Sequence, residues 1–70
     1  ELFWDELRLA LDELPENQRY VFIQNEMEDK TLQEIADESG ENLKTIISRK
    51  GYAVKHLRKK LFSLYNELNL

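Results

Sequence analysis

The sequence predicts an all-α fold: one small domain over residues 1–70, built from four helices of which the last is long. Apolar residues recur every three or four positions along most of the chain, which is the spacing of one face of a helix. The single proline and the first of the two glycines fall between these periodic segments, where helices end. No segment shows the alternating pattern that is typical of a strand.

The first two predicted helices meet at Pro15. The first covers residues 1–14, and its apolar face is formed by Leu2, Phe3, Leu7, Leu11 and Leu14. Pro15 is favoured at the first position of a helix, and Glu16 suits the positive end of the helix dipole. The second helix is therefore predicted over residues 15–28, and Asp29-Lys30 ends it. Its predicted inward residues are Val21, Phe22 and Met27.

Signals for helix ends are concentrated in the middle of the chain. Thr31 and Glu34 have the spacing of a capping box, in which each side chain accepts a hydrogen bond from the other residue's backbone amide. A short third helix is predicted from Leu32 to Ser39. Gly40 can adopt the left-handed conformation that ends a helix, and Asn42 is a favourable N-cap for the next one.

The fourth predicted helix is long, and one apolar stripe runs along it. The stripe is interrupted only at Lys50. Its members are Leu43, Ile46, Ile47, Val54, Leu57, Leu61, Leu64, Tyr65 and Leu68. This helix also contains Gly51, which costs roughly 0.8–1 kcal/mol relative to alanine in a helix interior. Close approach to DNA or to a neighbouring helix would explain a glycine there, and the alternative is that the helix simply tolerates it.

Charge is divided unevenly between the two parts of the chain. Residues 1–43 have a net charge of −10, residues 44–70 a net charge of +6, and the whole chain −4. Between Lys44 and Lys60 there are seven Lys or Arg and no Asp or Glu. This pattern indicates a surface for a polyanion beside a second surface that faces protein or solvent.

The segment from Thr31 to Lys50 predicts a helix-turn-helix, in which the second helix is the start of the long C-terminal recognition helix. We expect Ala36 to lie where the two helices cross, because only a small side chain fits there. The remaining inward residues are expected to be Leu32, Ile35 and Ile46.

The surrounding residues extend this motif. The pattern consists of Leu14-Pro15, Gln18-Arg19, Val21-Phe22, Glu34-Ile35-Ala36, Gly40, Thr45, Ser48-Arg49, Ala53 and Leu57-Arg58. Over about residues 8–61 the chain resembles region 4 of bacterial RNA polymerase sigma factors, particularly the extracytoplasmic-function type. The resemblance implies a module of a sigma factor that binds the −35 promoter element and docks on the β-subunit flap of the polymerase core. An anti-sigma protein is one of the partners that Phe3 and Trp4 could contact.

The resemblance implies that Thr45, Ser48 and Arg49 face double-stranded DNA. Helical spacing adds Lys44, Tyr52, Lys55 and Lys59 to the same exposed face or its edge. Arg49 is the candidate for a bidentate contact with guanine, and the alternative is a salt bridge to Glu41 or to a glutamate of the third helix. The lysines are candidates for phosphate contacts, and so are the backbone amides near Thr31 and Asn42.

The chain departs from the family pattern at several positions. Polar residues stand where the family usually has apolar ones, at Ser39, Glu41 and Lys50. Two alternatives therefore stay open: a sigma-like protein-interaction module with weak or no DNA binding, and a stand-alone repressor that dimerises through residues 61–68. We expect Trp4 to complete the small core, and the alternative is that Trp4 and Phe3 contact a partner protein.

Several function classes have no support in the sequence. One histidine, no cysteine and no glycine-rich phosphate loop leave no nucleophile paired with a base, so we expect no enzyme, no metal and no cofactor. No apolar run approaches the roughly 20 residues that span a bilayer, and we expect a cytoplasmic location. The abrupt start at Glu1 suggests a piece excised from a longer chain.

Overall fold

The computed structural model describes residues 2–68, which form four α-helices. They are α1 (Leu2–Glu13), α2 (Glu16–Glu26), α3 (Leu32–Ser39) and α4 (Leu43–Leu68). The predicted all-α class is confirmed, and the predicted limits of α3 agree with the structure at both ends. The side chains of Leu2, Tyr65 and Leu68, which the pattern assigned to apolar faces, lie outside the part that is described.

Two clusters of buried side chains hold α4 against the other helices. The first joins α1 to the middle of α4 and consists of Ala10, Leu14, Ala53 and Leu57. The second joins α2, α3 and the start of α4 and consists of Val21, Ile35, Ala36 and Ile46. Burying a valine or isoleucine side chain completely contributes about 1.5–3 kcal/mol, so the second cluster fixes the helix-turn-helix geometry.

The connection from α1 to α2 is stabilised by Arg19. Its Nη1 donates to three backbone carbonyls at the end of α1, those of Leu11 (3.5 Å), Asp12 (3.3 Å) and Leu14 (3.3 Å). The Leu11 carbonyl also accepts from the Leu14 amide (3.1 Å), so the guanidinium is a second donor there. For the other two carbonyls it supplies a donor that the end of the helix lacks. Pro15 is the N-cap of α2 rather than its first helical residue as predicted, and α2 ends at Glu26, two residues earlier than predicted.

The caps around α3 form as predicted. The Thr31 amide donates to Glu34 Oε1 (2.8 Å), and the Glu34 amide donates to Thr31 Oγ1 (3.0 Å). Gly40 has a φ of 78° at the end of α3, in the left-handed region that glycine adopts without strain. The Thr45 amide donates to Asn42 Oδ1 (2.8 Å), which caps α4.

Four residues that the sequence assigned to inner faces are in fact exposed. Trp4 is 58% exposed, Met27 51%, Ile47 50% and Phe3 47%. Trp4 lies on α1 with its ring centre 5.1 Å from that of Phe3 in an edge-to-face arrangement, and it borders the same surface pocket as Met27. Met27 caps the end of α2, and Ile47 points away from the contact with α3 because Leu43 and Ile46 already occupy it.

Lys50, the charged residue that interrupts the apolar stripe of α4, contacts α2. Its Nζ lies 2.7 Å from Glu26 Oε2, donates to Asn25 Oδ1, and lies 5.8 Å from the centre of the Phe22 ring. The side chain is only 15% exposed. The aliphatic stem therefore packs in the helix interface while the ammonium reaches polar groups at its edge. Within residues 2–68 no helix is long and apolar enough to cross a membrane.

Candidate nucleic-acid interface

The seven residues selected from the sequence share one side of the first two-thirds of α4. Lys44, Ser48, Tyr52, Lys55 and Lys59 are exposed, whereas Thr45 and Arg49 are half-buried at the edge of that side. Ile46, Ala53 and Leu57 point the opposite way into the core. The outward side of the helix therefore remains uncovered by α1, α2 and α3.

The cations of α4 fall into two groups. Those on the flanks pair with carboxylates of other segments: Arg49 with Glu41, Lys50 with Glu26, and Lys60 with Glu13. The second group makes no salt bridge among the described residues and consists of Lys44, Lys55, Arg58 and Lys59. The flanking cations thus hold the helix in place, while the second group leaves a net positive outer surface.

Arg58 belongs to this second group but was not among the candidates, although it follows Lys55 by three residues and so lies beside it on the helix surface. The signal that could have found it is the run of cations itself. Arg58 borders an apolar groove of about 470 Å³. The other residues that line the groove are Leu7, Phe22, Val54, Leu57, Leu61 and Phe62. Phe62 is exposed, and the sequence analysis did not identify this groove.

Arg49 makes the salt bridge that the sequence offered as the alternative to a base contact. Its Nη2 lies 3.5 Å from Glu41 Oε2. The Arg49 side chain is 25% exposed and Glu41 lies in the exposed turn before α4, so the ion pair lies at the edge of the outward side of the helix. The contact with Glu41 therefore does not remove Arg49 from the candidate interface.

Glu13 connects the end of α1 to the outer flank of α4. Its Oε1 lies 2.9 Å from His56 Nε2, and its Oε2 lies 3.2 Å from Lys60 Nζ. The hydrogen bond from Lys60, followed by that from His56, holds the pKa of the Glu13 carboxyl below its usual range. Glu13 and His56 are 43 residues apart in sequence, so no local pattern could indicate their contact.

The starts of α3 and α4 are weaker phosphate sites than expected. At α3 the amides of Thr31 and Glu34 are already engaged by the capping box, which also puts a carboxylate at that helix end. At α4 the Asn42 side chain takes the Thr45 amide. Fewer amides at either end therefore remain for a phosphate than the sequence alone indicates.

Gly51 lies on the exposed surface of α4, where an added Cβ would meet no atom within 4 Å. The expected explanation from a neighbouring helix is therefore wrong within the described part of the chain. Tyr52, the next residue, is exposed beside Ser48 and Lys55 and can offer its hydroxyl or its ring to a ligand.

A family model described as "Sigma-70, region 4" matches residues 4–57. The match includes most of α1, all of α2 and α3, and α4 as far as the buried residue Leu57. No curated protein and no solved structure matches the chain.

Proposed function

Because the chain belongs to the sigma-70 region 4 family of non-enzymatic, sigma-factor-like DNA-binding domains, we propose that it binds the −35 promoter element in a sequence-specific way and so directs RNA polymerase to initiate transcription. The observation that carries this proposal is the outward side of α4, where Lys44, Lys55 and Lys59 lack salt-bridge partners among the described residues. Phosphate attraction supplies much of the affinity of such modules, and base-edge contacts supply the selectivity.

The proposed roles follow from the chemistry of each side chain. Arg49 would form two parallel hydrogen bonds to a guanine edge, and Ser48 and Thr45 would donate to bases or phosphates from the first turns of α4. Lys44, Lys55 and Lys59 would contact the phosphates, and Tyr52 would contact the sugar-phosphate backbone beside them. In this arrangement the acidic α1 and α2 lie on the side away from the duplex, where they do not repel it.

A second candidate function is favoured by the apolar groove and by the exposed pair Phe3 and Trp4. Apolar surface of this kind is typical of protein contact sites. The groove would receive the β flap of RNA polymerase core, and Phe3 and Trp4 would contact another part of the sigma factor or an anti-sigma protein. A module with these contacts alone would not need DNA. Either function would be performed in the cytoplasm, where the polymerase acts on promoters.

The test is a salt series of DNA binding by the 70-residue chain. A duplex selected by the chain from a randomised library and a scrambled duplex of equal length are compared by fluorescence anisotropy. We expect log Kd to rise with log salt with a slope of roughly 2–3, since each neutralised phosphate contributes about 0.9. The selected duplex should bind more tightly than the scrambled one. Absence of binding to both at low salt would favour the protein-interaction function.

A further inference from the structure

Glu41 lies beside the proposed DNA-binding face and pairs with one of its residues, Arg49. It lies in the exposed turn between Gly40, which ends α3, and Asn42, which caps α4. Its Oε2 lies 3.5 Å from Arg49 Nη2, eight residues later and about two helical turns along α4. The carboxylate therefore reaches along the helix surface and holds the guanidinium against it, so that the Arg49 side chain is only 25% exposed.

This contact offsets part of the attraction that Arg49 would have for a phosphate. A phosphate that approaches Arg49 also meets the negative charge of Glu41, whatever the base sequence. Lys44, Lys55 and Lys59 have no such neighbour, because no carboxylate pairs with them among the side chains that the structure describes. Among the cations of the seven candidates, only Arg49 thus has a neighbouring carboxylate in the described structure that competes with a phosphate for it.

The same contact leaves Arg49 able to bind a base edge. A guanidinium presents five N–H donors in a planar fork. Glu41 engages one nitrogen, Nη2, whereas Nε and Nη1 make no hydrogen bond within the described residues. A side chain that is held in place from one side also loses less conformational entropy when a guanine accepts from the remaining donors.

We propose that Glu41 is a specificity-determining residue of this interface. It weakens the binding of Arg49 to phosphates in any sequence and holds the guanidinium ready for a base edge. The inference rests on the proposed DNA-binding function. It also assigns a role to a carboxylate in a turn where charge repulsion alone would disfavour one.

The experiment replaces Glu41 by glutamine and measures the affinity for the selected and the scrambled duplex. We expect the scrambled duplex to bind about two- to fivefold more tightly, the factor that corresponds to loss of an exposed ion pair. The selected duplex should gain less, so the ratio of the two affinities should fall. The control is Glu16→Gln, which removes a carboxylate from the first turn of α2, again near a helix start. It should leave the ratio unchanged.

A double-mutant cycle separates action through Arg49 from direct repulsion of DNA. In an Arg49→Ala background, Glu41→Gln should change both affinities no more than Glu16→Gln does. A persistent effect there, or an unchanged ratio in the single variant, would overturn the inference while DNA binding stands. If neither the unmodified chain nor Glu41→Gln binds any duplex at low salt, the proposed function itself fails.

Discussion

Lys50 Nζ lies 2.7 Å from Glu26 Oε2, so the only charged residue in the apolar stripe of α4 is paired with the last residue of α2. The ion pair sits at the edge of the interface, where Glu26 is exposed and only the lysine stem is covered. A contact of this kind fixes how α4 is rotated relative to α2. It thereby also sets which side of α4 faces outward.

We expect Lys50→Ala to lower the free energy of unfolding by about 1–2 kcal/mol, because the stem packing and a charge-assisted hydrogen bond are both lost. Lys50→Met keeps the packing and should cost less. Urea unfolding monitored by circular dichroism measures both. The matched control, Lys55→Ala at an exposed position of the same helix, should stay within about 0.5 kcal/mol of the original chain. Equal losses in Lys50→Ala and Lys55→Ala would refute a structural role for Lys50.

Gly51→Ala should stabilise the chain by about 0.8–1 kcal/mol, because the position is helical and the added methyl group meets no other atom. For a domain of this size the midpoint of thermal unfolding should rise by about 4–8 °C. Ser63→Ala, at another exposed position of α4, should give a smaller gain. If close approach to DNA is the reason for the glycine, the stabilised variant will bind duplexes more weakly, and unchanged binding would rule that reason out.

Arg49→Ala and Lys55→Ala should affect DNA binding differently. Loss of Arg49 should relax the preference for the selected duplex, at a cost of about 1–3 kcal/mol on that duplex alone. Loss of Lys55 should weaken binding to every duplex alike and reduce the salt slope by about one. The measurement is the affinity of each variant for both duplexes over a salt series. If the two variants had the same effect on both duplexes, the assignment of Arg49 to a base would be wrong.

Glu13 should make part of the stability depend on pH. The pKa of the Glu13 carboxyl is lowered in the folded chain by Lys60 and His56. Its contribution to the free energy of unfolding is therefore fully present at pH values above the unfolded pKa of about 4.3, and it is lost as the pH falls through the folded pKa. The difference in unfolding free energy between the original chain and Glu13→Gln should therefore shrink between pH 5 and pH 3. A difference that stays constant over this range would contradict the ion-pair geometry. Glu16→Gln, which removes a carboxylate without a salt bridge in the described structure, serves as the control.

The sequence predicts the α3 segment well because its determinants are local. Thr31, Glu34, Gly40 and Asn42 each act through hydrogen bonds or backbone angles within four residues of themselves. The shared side of the seven candidate residues is equally local, since it depends only on α4 being one continuous helix. Their contact with DNA remains a prediction.

Burial depends on which distant element covers a side chain, and there the sequence is a weaker guide. Trp4, Met27 and Ile47 are apolar and fall near predicted inner faces, yet all three are exposed. The Glu26–Lys50 and Glu13–His56 contacts join residues 24 and 43 positions apart, and no periodicity encodes such pairs. The Arg49–Glu41 pair spans only eight positions, and the sequence indicates it as one of the two salt bridges open to Arg49.

The continuity of α4 couples its two ends mechanically. Ser48 on the outward side and Phe62 beside the apolar groove are fourteen residues apart on one helix, which corresponds to roughly 21 Å along its axis and nearly four full turns. A protein bound at Phe62 would therefore be held at a fixed distance and orientation relative to a ligand bound at Ser48. Inserting a single residue between them would rotate one end by about 100° relative to the other. The number of residues in this stretch therefore fixes how two ligands bound at its ends would be oriented.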